Sequence, residues 1–140
     1  MPTLPNNASF LSAIQAMTVA NVSRHYDYPP ASVDIAGANN NCAFPLMHES
    51  ARGEQVSTCV NQSKTRSIGY VVIVEATGQG TQAQNYAKLA AAMDNLETAL
   101  DGLAPDTVNF ITYDITTTGN YPVGDSEYWA VVATITASDL

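Results

Sequence analysis

The amino-acid sequence predicts an α+β fold: a mainly antiparallel sheet with two helices packed on one face and a long extended hairpin. Three observations carry that expectation. Apolar residues recur at helical spacing in only two segments, 8–22 and 82–101. Alternating or β-branched runs occupy the stretches between and after them. The strand candidates follow one another as hairpins and not as regular β-α-β units, which favours antiparallel pairing. With 140 residues the chain is the size of one domain, 1–140, and shows no repeat or linker. Such a chain buries roughly 70% of its unfolded surface, so one real core is expected.

In the first helical segment Phe10, Leu11, Ile14, Met17 and Thr18 share a face, and Asn7 or Ser9 is placed to cap the first free N–H groups. Pro29 and Pro30 stop any continuation and lead into a half-buried strand over 31–36, followed by a loop to Asn41. The apolar run 42–47 contains Pro45, which donates nothing to a ladder, so an edge segment or an extended connector is expected there. Residues 55–60 and 67–76 read as the arms of the long hairpin, with a polar, basic tip over 61–66. The second arm holds Tyr70-Val71-Val72-Ile73-Val74, a β-branched run suited to a well-buried pleated surface.

Thr81 is a good N-cap for the second helix, in which Tyr86, Leu89, Met93, Leu96 and Leu100 form one apolar stripe. Gly102 suits a left-handed C-terminal position and Pro105 follows, so start, stripe and stop agree. Strands over 107–116 and 127–137 close the chain. A wide turn is expected between them, because 118–124 holds two Gly and one Pro. In the last strand Trp129, Val131, Ala133 and Ile135 share one face while Tyr128, Ala130, Val132 and Thr134 share the other, so this strand is expected to be central or covered.

Only 13% of residues are charged against 46% apolar. Few strongly hydrated groups would then have to lose water at an interface, a feature that favours association between copies. Residues 1–70 carry four basic and four acidic residues, whereas 71–140 carry one basic and nine acidic, so the net charge of −8 lies in the second half. Five basic residues do not support a grip on DNA or RNA, and a surplus of carboxylates repels a passing polyanion. No basic-then-apolar leader is legible at the N-terminus and no run approaches the roughly 18–20 apolar residues of a membrane span. A protein made in the cytoplasm, with Cys42 and Cys59 as reduced thiols, is therefore expected, a single Cys42–Cys59 bridge being the alternative.

Four constellations invite a chemical reading. Gly78-Gln79-Gly80-Thr81-Gln82-Ala83 matches the G-x-G-x-x-A form of a dinucleotide loop. The flanking strands read as hairpins, and no ribose-binding carboxylate stands at the end of the next strand, so an ordinary strand-to-helix loop is expected. His25, His48, Cys42 and Cys59 lack the close pairing of a structural zinc site, and His25 beside Tyr26 and Tyr28 reads as a polar aromatic turn. The same residues could supply a thiol and an imidazole for nucleophilic catalysis, but a thiol in an apolar strand is more often a small core residue. Asp94, Glu97 and Asp101 lie one turn apart on the second helix and read as its solvated face. No catalytic role, cofactor or metal is expected. The one basic cluster, Lys64 and Arg66 with Arg52 nearby, reads either as a docking arm or as a solvated turn.

The order of elements, with a proline-led strand at Pro30-Ala31-Ser32-Val33-Asp34-Ile35, a long-armed hairpin, one long helix and a final hairpin, resembles the tail terminator proteins of long-tailed bacteriophages. The resemblance covers the whole chain but is one of layout and length. It implies a virion protein of the tail or neck, a homo-hexameric ring that caps the tail tube, ends its polymerisation and joins it to the head connector or stopper protein. Genome DNA would pass through without specific binding. Arg52, Lys64 and Arg66 would then belong to the arm that engages an adjacent subunit or the tail tube protein. Two other readings stay open: another head-to-tail adaptor or tail completion protein, and a small cytosolic ligand-binding or immunity-type protein.

Overall fold

A computed structural model of the protein describes residues 6–31, 41–52, 64–76, 81–103 and 111–138. Among these residues seven elements follow in order: helix α1 (Asn7–Gln15), strands β1 (Arg24–His25), β2 (Cys42–Arg52) and β3 (Lys64–Ala76), helix α2 (Gln82–Asp101), and strands β4 (Ile111–Val123) and β5 (Ser126–Ser138). The sheet runs β1-β2-β3-β5-β4. Its one parallel pairing joins β1 to β2 over two residues, and the other three are antiparallel. The fold is α+β with a mixed, mostly antiparallel sheet.

Strand alternation separates two apolar faces. On one, Tyr70 and Val72 of β3 and Val131, Ala133 and Ile135 of β5 meet Phe10 and Ile14 of α1 and Leu89, Leu96 and Leu100 of α2. Both helices therefore cover the same face. On the other, Cys42 and Phe44 of β2, Val71 and Ile73 of β3, and Tyr128 and Ala130 of β5 form a smaller cluster. The double-sided pattern of β5 has its explanation here, since that strand lies between β3 and β4.

Helix α1 is shorter than its periodicity suggests. Asn6, and not Asn7 or Ser9, is the N-cap, its side chain accepting from the Ser9 N–H at 2.7 Å. The helix stops at Gln15, ahead of the β-branched Thr18, Val19 and Val22, and Asn21 turns the chain with a positive φ of 62°. Met17 and Val19 still reach the core, but from a non-helical backbone. Helix α2 matches its expected limits. Thr81 and Gln84 form a reciprocal capping box, with hydrogen bonds of 3.2 and 3.1 Å. At the other end Gly102 keeps a right-handed conformation with φ −84°, so the left-handed cap expected of it does not form.

The strand that pairs with β3 is β2, which ends at Arg52, three residues before the arm expected over 55–60; that arm lies outside the described residues. So does the strand expected over 31–36, apart from Ala31. Lys64 and Arg66, expected in a tip, are ladder residues of β3. Pro45 is accommodated because β1 covers only Cys42 and Ala43, leaving the rest of β2 at the edge among the described residues.

The segment 118–124 is not a wide turn. Strand β4 continues through it to Val123 with one register shift between Thr118 and Tyr121, and Val123 pairs with Ser126 across a two-residue turn. Gly124 takes a φ of 61° at the first turn position while Asp125 does not, the pattern of a type II′ hairpin. Pro122 lies on an edge strand, where its missing N–H costs nothing. A second shift, between Ile73 and Glu75, inserts Val74 into β3. Regular alternation would send Glu75 to the same face as Ile73. The bulge instead turns it toward α2, where Lys88 Nζ meets its carboxylate at 2.8 Å. Lys88 is about half exposed, so this pair contributes at most about 1 kcal/mol and serves mainly to register helix on sheet.

Candidate functional site

Arg52 and Lys64 are Cα partners at the end of the β2–β3 ladder, and Arg66 pairs with Ser50 two rows in. The backbone thus brings the three basic positions to one end of the sheet. The Gly78 to Gly80 motif and Cys59 lie outside the described residues. His25 serves the fold: its Nε2 accepts from the Val19 N–H at 3.0 Å, tying the segment after α1 to β1. Asn41 holds the same turn, its Oδ1 accepting from the Ser23 N–H at 3.0 Å and from the Ser23 hydroxyl at 2.8 Å, while its amide donates to the Asn21 carbonyl. Among the described residues no three His, Cys, Asp or Glu side chains converge as metal ligands, and no helix is long and apolar enough to cross a membrane.

Cys42 is a buried free thiol, 2% exposed, opposite Ile73. Burial pushes it up to about 11, against a weaker downward pull from Arg24. Burial likewise pushes Tyr70 up to about 12, with a smaller contribution from Cys42. Both groups hold their protons more tightly folded than unfolded, so the unfolded chain is the first to lose them. Stability is therefore expected to be unaffected by these groups below about pH 9, to fall as pH rises from about 9 to 11, and to fall further to about 12. Urea midpoints measured across that range check the sign; a midpoint that rises or stays level would contradict it.

The feature not legible in the sequence is a groove of about 370 Å³ between α2 and the edge strand β4. Tyr86, Leu89, Ala90 and Met93 form its helical wall, Thr117, Thr118 and Gly119 its strand wall, and Trp129 of β5 its floor. Tyr86, expected in the buried stripe, is 58% exposed and meets Trp129 edge to face, with ring centroids 5.9 Å apart. A Cβ on Gly119 would stand 2.9–3.2 Å from three indole carbons, so the indole lies against a backbone that only glycine leaves open. Gly119 sits at the β4 register shift, and that coincidence of a strand glycine with the chain's single Trp was the available signal.

Below the groove the acidic face of α2 turns toward β4. The Tyr113 hydroxyl donates to Asp101 at 3.0 Å. That bond first, then partial loss of water and the charges of Asp101 and Glu97, raises its ionisation above the ordinary tyrosine range. These carboxylates are not simply opposite the apolar stripe, as expected, but flank it beside the edge strand. A second groove, about 550 Å³, runs between the helices past Ala13, Ala16, Ala99 and Gly102, where small residues leave space.

Fold and site together define an α+β architecture in which, among the described residues, β4 forms one edge of the sheet beside an aromatic groove. No known family model matches the chain, and no curated protein matches it at a significant level.

Proposed function

We propose that this chain is a structural assembly subunit of the kind its layout resembles, a tail terminator that joins copies of itself into a ring on the end of a phage tail tube and meets the head connector. The observation that carries the reading is the gathering of Arg52, Lys64 and Arg66 at the far end of the long β2–β3 ladder. A cationic strand end on an otherwise low-charge surface suits a docking arm, because few charges need desolvation when it is covered. The carboxylate surplus of α2 and β4 supports a role beside a DNA channel, where like charge prevents sticking. Reversing the three charges together, Arg52→Glu, Lys64→Glu and Arg66→Glu, is expected to leave the circular dichroism spectrum unchanged and to abolish capping of purified tail tubes in negative-stain images. Normally capped tubes from that variant would refute the reading.

A second reading, a small ligand-binding protein with a pocket between sheet and helix, draws on the groove at Tyr86 and Trp129. Light scattering of the purified protein at increasing concentration, with and without tubes, separates a lone binder from a ring-former.

A further inference from the structure

β4 is an edge strand of 13 residues, and among the described residues no strand pairs with its outer side. Such a row of N–H and C=O groups accepts an added strand unless charge, proline or a bulge blocks it. On β4 the blocking features are spread out: Asp114 stands toward one end, the register shift and Pro122 toward the other. Ile115-Thr116-Thr117-Thr118 between them is uncharged and β-branched throughout. The groove opens beside this stretch, with Tyr86 exposed at its rim.

The surroundings also select by charge. Asp94, Glu97, Asp101 and Asp114 lie on α2 and β4, and the one basic residue of 71–140, Lys88, is engaged by Glu75. Along β4, Thr117 at the groove and Tyr113 beside Asp101 are four residues apart on one face, roughly 13 Å in an extended chain. An added strand would present side chains to those two places from positions i and i+4.

We propose that β4 and the α2 groove together bind an extended segment of a partner protein as a sixth strand, with an apolar or aromatic side chain in the groove and a Lys or Arg four residues away facing Glu97 and Asp101. The backbone supplies affinity and the two side-chain places supply selectivity, as in other strand-addition sites. Charge complementarity argues against a second copy of this edge, since two acidic borders would then face each other. The inference rests on the reading of the chain as a protein-binding subunit, but not on a ring or a tail tube.

Trp129 is the chain's only tryptophan, so its emission reports on the groove directly. The probes are two capped peptides, Thr-Phe-Thr-Thr-Thr-Lys-Thr and its reversed order, each paired with a control carrying Glu in place of Lys. At least one Lys peptide is expected to change Trp129 emission saturably and to slow amide exchange over residues 115–119. Ala90→Arg, which fills the groove from an exposed helix position, should weaken that binding by about tenfold or more. Glu97→Gln should weaken the Lys peptide by up to about fivefold and leave the Glu control no weaker. No saturable change with any peptide up to about 1 mM, or binding indifferent to Ala90→Arg, overturns the proposal. Concentration-dependent self-association that protects β4 without peptide overturns it too, in favour of a second copy. Capping of tail tubes is scored separately, so loss of peptide binding with intact capping rejects this site alone.

Discussion

Phe10→Ala is expected to destabilise the protein by about 3–5 kcal/mol, the cost of emptying a fully buried aromatic site. Phe10 is 0% exposed and shares its cluster with Ile14, Leu96, Leu100 and the central strands. Helix α1 has only nine residues, too few to persist alone in water, so its stability comes from this burial and from the Asn6 cap. A domain of this size has about 7–20 kcal/mol in total, which makes the loss a large fraction. Urea denaturation should show a lower midpoint with an unchanged slope. Amide exchange should quicken in α1 first, since the sheet retains its contacts with α2. A loss below about 1 kcal/mol would mean that α1 does not pack on the sheet as described.

Gly119→Ala is expected to cost about 1–3 kcal/mol and to shift Trp129 emission. Two effects compete at this position. Replacing a strand glycine with alanine normally stabilises by about 0.5–1 kcal/mol, because the unfolded chain loses freedom. Here the added methyl meets indole carbons at 2.9–3.2 Å, inside ordinary contact, and Tyr86 and Leu89 stand on the helical side of the same groove. The indole has to tilt and the groove has to deform, so overpacking outweighs the entropic gain. A neutral or stabilised variant with unchanged emission would show that the indole has room to move, and would remove the argument that Gly119 shapes the groove.

Local chemistry explains what was legible in advance. Helix α2 declared itself through Thr81 as N-cap and a stripe at spacings of three and four, signals that act within about one turn of backbone; the Gln84 half of the capping box emerged with the structure. The central place of β5 was readable from residues apolar on both sides. Register was not. The partner of β3 is β2 because β2 brings Cys42 and Phe44 opposite Ile73 and Val71, a long-range match that no local window contains. The Gly and Pro of 118–124 suggested a turn, yet Gly119 serves an indole ten residues later and Pro122 is tolerated by an edge.

What the chain's composition and periodicity determined alone is an α+β fold with two helices on one face, a central run at 70–74 that is buried as far as Ile73, and an acidic second half. Those properties follow from short-range spacing and from summed charge. Only the tertiary structure decided that Glu75 turns to Lys88, that Tyr86 is exposed, and that an aromatic groove borders the β4 edge of the sheet. Each depends on one inserted residue in a ladder or on one glycine beneath a ring. A single step of register reverses which way every later side chain points, so such features emerge only when the strands are laid side by side.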